Sequence, residues 1–105
     1  MNSRDAQIFK QLAQNIRMQF PSAEIRMFGS RARGNAAPDA DMDVCVILDT
    51  INRNIRNIIS HIVWEVGFDN DTVVTALTYS RDEVERGPRS ASTLIKTIFS
   101  EGIAA

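Results

Sequence analysis

The stretch that most limits what this chain can fold into is residues 27–48, MFGSRARGNAAPDADMDVCVIL. Its ends, Met27-Phe28 and Val44 to Leu48, are apolar and rich in residues that suit a pleated, half-buried surface. Between them lie Gly29, Ser30, Arg31, Arg33, Gly34, Pro38, Asp39, Asp41 and Asp43. A chain that buries both ends must turn back between them. If the ends pair as neighbouring strands, the charged residues collect at one end of a sheet. Strand alternation then puts Asp41 and Asp43 on the same face, about 7 Å apart along the chain.

The rest of the sequence supplies cover for such a sheet. Residues 5–20 place Phe9, Leu12, Ala13, Ile16 and Phe20 at helical spacing, and Pro21 stops that helix. "AEIRMFG" reads as the first strand, and Ser30 is a suitable cap for a short helical turn after it. "NAAPDA" is a loop marked by Pro38, and "DMDVCVIL" is a strand of buried character. Residues 51–66 form a second amphipathic helix with a wide isoleucine and valine face, capped by Asp49 or Thr50 and ended by Gly67. "DTVVTALTY" reads as a third strand, "SRDEVERG" as a short helix capped by Ser80, and "SASTLIKTIFSEGI" as a last helix ending near Gly102. The expectation is one α/β (α+β) domain over residues 1–105, a small mixed sheet with helices packed on one face.

Bulk properties exclude several classes. A net charge of −1 is too acidic for a bulk polyanion binder, so any affinity for phosphate must be local, and no direct nucleic-acid binding is expected. One cysteine permits no internal disulfide. The opening "MNSRDAQIFKQLAQ" lacks the apolar core of a secretory signal, and no apolar run is long enough to span a bilayer. The expected location is the cytoplasm, with no membrane contact.

Asp41 and Asp43 carry the chemical interest. Two carboxylates converging at a strand end repel unless a cation lies between them, and the usual answer is a hard divalent ion, Mg²⁺ or Mn²⁺. They are equally readable as solvated acids at a strand start. Gly29 allows close backbone approach to a ligand, and Ser30 with the free N–H groups of a helix start suits a phosphate. That pair is equally readable as an ordinary strand-to-helix turn. The combination is more specific than its parts, because it puts a phosphate cradle and an acid pair at one end of one sheet. Arg31 and Arg33 are natural phosphate contacts, and Arg33 can alternatively brace the loop against Asp39 or Asp41. His61 reads as a residue at the border of the second helix's apolar face, Cys45 as a small buried hydrophobe, and Trp64 as core or rim.

The run "GSRARGNAAPDADMDVCVIL" resembles the DNA polymerase β-type nucleotidyltransferases, and within them the minimal nucleotidyltransferases. Their pattern of Gly-Ser, Ala-Arg-Gly, a loop and Asp-x-Asp on a strand is matched by Gly29, Ser30, Ala32, Arg33, Gly34, Asp41 and Asp43. The resemblance implies a polymerase β-like core. It implies that Gly29, Ser30, Arg31 and Arg33 bind a nucleotide and that Asp41 and Asp43 hold Mg²⁺ or Mn²⁺. It also implies transfer of AMP from ATP to a hydroxyl. In that subfamily the partner is a HEPN-domain protein encoded nearby, and the acceptor is a tyrosine of that toxin. Active relatives carry a third carboxylate on a neighbouring strand. Here the third strand has no acid inside it, so Asp71, just ahead of it, is the candidate, with Thr75 at the expected place otherwise. If no acid arrives, the resemblance implies a slow enzyme, or a degenerate one that neutralises its partner by contact alone.

Overall fold

A computed structural model describes residues 1–37, 39–87 and 92–105. Helix α1 (Ser3–Gln19) begins at Asn2, whose side chain accepts from the Asp5 amide, and ends at Phe20. Strand β1 (Glu24–Phe28) runs directly into the short helix α2 (Gly29–Arg33). Strand β2 (Met42–Leu48) leads to helix α3 (Arg53–Asp69) and strand β3 (Val74–Ser80). Helices α4 (Arg81–Glu85) and α5 (Thr93–Glu101) follow, then a two-residue strand β4 (Ile103–Ala104).

The described strands form one mixed sheet in the order β3-β2-β1-β4. β1 pairs antiparallel with β2 and β4, while β2 pairs parallel with β3. The parallel pair needs a long crossover, which α3 supplies. Alternation along β2 divides the molecule. Met42, Val44, Val46 and Leu48 point into the main core with Leu12 and Ile16 of α1 and Ile59 and Val66 of α3. Cys45 and Ile47 point the other way, into a smaller cluster with Tyr79, Ile95 and Ile98. The main helical cover therefore lies on one face as expected, and α5 adds a second, smaller cover on the opposite face.

Several boundaries differ from the sequence reading. Asn52, not Asp49 or Thr50, caps α3, accepting from the Ile55 amide at 2.8 Å. Asp49 is engaged elsewhere, by Ser22 and Arg81. Gly67 does not end α3; it is buried against β3, where a Cβ would meet the Thr72 carbonyl at 2.5 Å, and the helix continues to Asp69. β4 has no sequence signal, because a two-residue strand is defined only by its partner, β1. Pro38 and the first residues of the expected last helix, 90 and 91, lie outside the described residues. Among the described residues no helix is long and apolar enough to cross a membrane.

Candidate active site

The site is built on the junction of β1 and α2. Phe28, the last residue of β1, pairs with Asp43 of β2. The next residue, Gly29, has φ +78°, and a Cβ there would lie 2.6 Å from Asp43 Oδ2. Only glycine permits this conformation without strain and leaves room for the carboxylate. The backbone bend and the acid are therefore fitted to each other. Ser30, expected as the cap of α2, lies half-buried inside it with Phe28 at the cap position, and Gly34, at φ +81°, closes that helix in the left-handed conformation.

Asp41 is exposed and Asp43 half-buried. They lie on the face of β2 opposite the main core, as their spacing predicts. The Asp43 carboxyl is raised above its ordinary pKa, first by burial and then by the negative charge of Asp41. No described residue forms an ion pair with either acid. The one side-chain partner is weak: Thr75 Oγ1 approaches Asp41 Oδ2 at 3.4 Å. The register sets Thr75 directly opposite Asp43 on the parallel neighbour strand.

A threonine thus stands where β3 faces the acid pair. Asp71 lies in the turn between α3 and β3, with φ 51°, beside Trp64, Phe68 and Val73. Among the described residues no three acid, imidazole or thiol groups gather closely enough to hold a metal ion, so Asp71 does not complete a three-acid site in this arrangement.

Arg31 is deployed differently from the sequence expectation. Arg31 is buried, and its guanidinium is fully engaged away from the open face. Nη1 meets Asp5 Oδ1 at 2.7 Å. Nε and Nη2 donate to the Ala40 carbonyl at 2.8 and 2.6 Å. Arg31 therefore ties the start of α1 and the turn helix α2 to the residue immediately before Asp41. Asp5, which the sequence reading did not single out, is only 3% exposed and is the buried half of this brace. The signal available in the sequence was an acid in the first turn of an amphipathic helix, on its apolar side. Arg33 is exposed and lies 3.7 Å from Glu101 of α5, not against Asp39 or Asp41.

Cys45 falls where its chemistry suggests, whereas Trp64, expected in the core or at its rim, is 62% exposed. Cys45 is fully buried, and burial followed by the charge of Glu24 pushes its thiol up to about 12, which keeps it protonated and unreactive at neutral pH. His61 is exposed and lies 2.8 Å from Glu65 one turn away.

The donor set suits a hard divalent ion. It is oxygen only and its two carboxylates repel one another, and one or two carboxylates completed by water and phosphate oxygens is how Mg²⁺ is commonly held. Gly29 itself brings no side chain beside those acids.

The family model for the nucleotidyltransferase domain matches residues 8–103. The chain belongs to this family. No curated protein matches its sequence significantly. Among solved structures, a toxin–antitoxin crystal structure with AMP-PNP is similar over 90% of this chain and 69% of that one, with 21% identity and a TM-score of 0.64. A mutant toxin–antitoxin pair, MntA-HpeT, in which two aspartates are replaced by glutamate, covers 99% of this chain and 72% of its own, with 22% identity and a TM-score of 0.61. A protein from Sulfolobus solfataricus assigned as a nucleotidyltransferase covers 96% and 81%, with 17% identity and a TM-score of 0.59. At these identities the likeness concerns the fold alone. As a nucleotidyltransferase domain, the chain presents the Gly-Ser bend and the Asp-x-Asp pair side by side on the more open face of its sheet.

Proposed function

We propose that this nucleotidyltransferase moves AMP from ATP to a hydroxyl of a partner protein, a tyrosine of a HEPN-domain toxin encoded nearby, and so acts as an antitoxin. The observation that carries the reading is the close fit of Gly29 to Asp43, where a Cβ would meet Oδ2 at 2.6 Å, which sets the bend against an acid pair that no described residue ion-pairs. Toxin–antitoxin structures among the fold neighbours, one of them with an ATP analogue, support the choice of donor and partner.

In this reading Asp41 and Asp43 hold Mg²⁺ or Mn²⁺. A bound divalent ion supplies charge neutralisation to the triphosphate and to the attacking oxygen. Ser30, the backbone N–H groups of the bend and the exposed Arg33 side chain orient the phosphates. Arg31 takes no part in binding; it fixes the approach to Asp41 through the Ala40 carbonyl. The acceptor oxygen bonds to the α-phosphorus as the bond to pyrophosphate breaks. Thr75 offers no base, so the hydroxyl proton leaves to water or to a group of the partner. Positioning and charge supply most of the acceleration.

Thr75 opposite Asp43 favours a second reading, a degenerate nucleotidyltransferase that binds and neutralises its partner without transfer. One experiment separates the two: incubation with labelled ATP, Mg²⁺ and the purified neighbouring gene product. Label on a partner tyrosine, lost in Asp43→Asn, supports transfer. A stable complex with no label at any time point, and with Thr75→Asp still inactive, supports the binding role.

A further inference from the structure

Trp64 and Phe68 lie one turn apart on α3 and stack, with ring centroids 5.2 Å apart and an interplanar angle of 18°. They are 62% and 71% exposed, and Val73 is 64% exposed. The core stripe of α3 is already complete with Ile59, Ile62, Val63 and Val66, so these rings are surplus to the core. Exposed apolar area that is contiguous, rather than scattered, marks a contact surface. Val73 continues the patch across a groove of about 500 Å³ between the end of α3 and the start of β3.

The groove reaches the strand end that carries the acid pair, though neither acid lines it. The Val73 carbonyl accepts from the Met42 amide at 2.9 Å, between Asp41 and Asp43 in sequence. Thr75, two residues on, approaches Asp41. β3 is an outer strand of the described sheet, so a molecule wrapped round its start touches both the aromatic pair and the site.

Charge identifies the occupant. Between Arg56 and Arg81 the sequence has no lysine or arginine. Glu65, Asp69 and Asp71 are exposed around the patch. Arg4 reaches the turn from α1, donating to the Asn70 carbonyl and the Thr72 hydroxyl, and its one charge leaves the three acids in excess. Self-association through the same patch on two copies would set acid against acid. The complementary surface is a helix with apolar side chains flanked by lysine or arginine, laid into the groove.

We propose that this patch docks the acceptor protein through such a cationic, apolar helix face and delivers its hydroxyl past the edge of β3 to Asp41 and Asp43. The proposal rests on the reading that a protein is the acceptor. Trp64 is the sole tryptophan, so its fluorescence reports the contact directly. The test is a titration of the full chain with the purified neighbouring gene product. The expected result is a blue shift of Trp64 emission and an affinity that falls with added salt. In a partner-binding measurement by calorimetry, Trp64→Ser with Phe68→Ser weakens the complex at least about 30-fold. Glu65→Lys with Asp69→Lys weakens it about tenfold and flattens the salt dependence. Circular dichroism checks that each variant is folded. Retained affinity in the folded aromatic double variant overturns the proposal. So does sedimentation showing that this variant only converts a dimer of this chain to monomer. A parent complex that forms on this patch without any transfer of label removes the transfer reading and leaves the docking surface standing.

Discussion

The two ends of β2 carry acids under opposite conditions. At the trailing end Asp49 accepts from the Ser22 hydroxyl at 2.8 Å and from Arg81 Nε at 2.7 Å, and these contacts hold its carboxyl below the ordinary range. At the leading end Asp43 is raised by burial and by Asp41, and no described cation answers it. The fold is capable of neutralising acids, and Asp5 with its buried Arg31 is a still stronger instance. Leaving the Asp41–Asp43 pair uncompensated is thus a local feature, and it marks the place where an outside cation is favourable.

The largest test of that contrast is Arg31→Met. Removing the arginine strands the Asp5 carboxylate in a buried position, a loss on the order of 3–5 kcal/mol. Urea unfolding measures it. If Arg31 were a phosphate ligand, the variant would keep its stability and lose only nucleotide affinity. Gly29→Ala comes next. It imposes φ +78° on a side-chain-bearing residue and drives its Cβ towards Asp43 Oδ2, at a cost of about 1–3 kcal/mol together with displacement of the acid. The same unfolding assay, run with and without Mg²⁺, should show a lower midpoint and a lost response to the metal.

The smallest effect is the most direct comparison of the two ends. Asp49 has a depressed pKa, so its contribution to stability is present at neutral pH and is lost as pH falls through its folded value. Asp43 has a raised pKa: the folded state holds the proton more tightly than the unfolded chain. Its ionisation therefore weakens the metal-free protein at neutral pH, and the deficit is relieved as pH falls. In EDTA, Asp43→Asn should be more stable than the parent at neutral pH and Asp49→Asn less stable. The Asp43 difference should shrink as pH falls towards about 4, and the Asp49 difference only below that, as pH passes its depressed folded value. Unfolding midpoints across a pH series measure them, and equal signs at neutral pH would erase the contrast.

What could be read from the sequence follows from distance along the chain. The Gly29-Ser30 bend and the common face of Asp41 and Asp43 are local matters of φ and strand parity, and the residues themselves declare them. The role of Arg31 is not local, since its partner Asp5 lies 26 positions away, and only packing of α1 over α2 brings them together. The same holds for Thr75, whose place opposite Asp43 depends on the register of a parallel pair joined through α3. Trp64 and Phe68 fall off the isoleucine–valine stripe at a spacing of four, a signal present in the sequence whose meaning depends on knowing that the stripe alone completes the core.

The central claim is that Asp41 and Asp43 share a divalent cation with a triphosphate seated on the Gly29-Ser30 bend. Isothermal titration of ATP into the full chain, with Mg²⁺ and then with EDTA, tests it most directly. The account predicts binding that requires the metal and that falls at least about tenfold in Asp43→Asn, a loss of about 1.4 kcal/mol or more. Equal ATP affinity with and without Mg²⁺, or in Asp43→Asn and the parent, would contradict it.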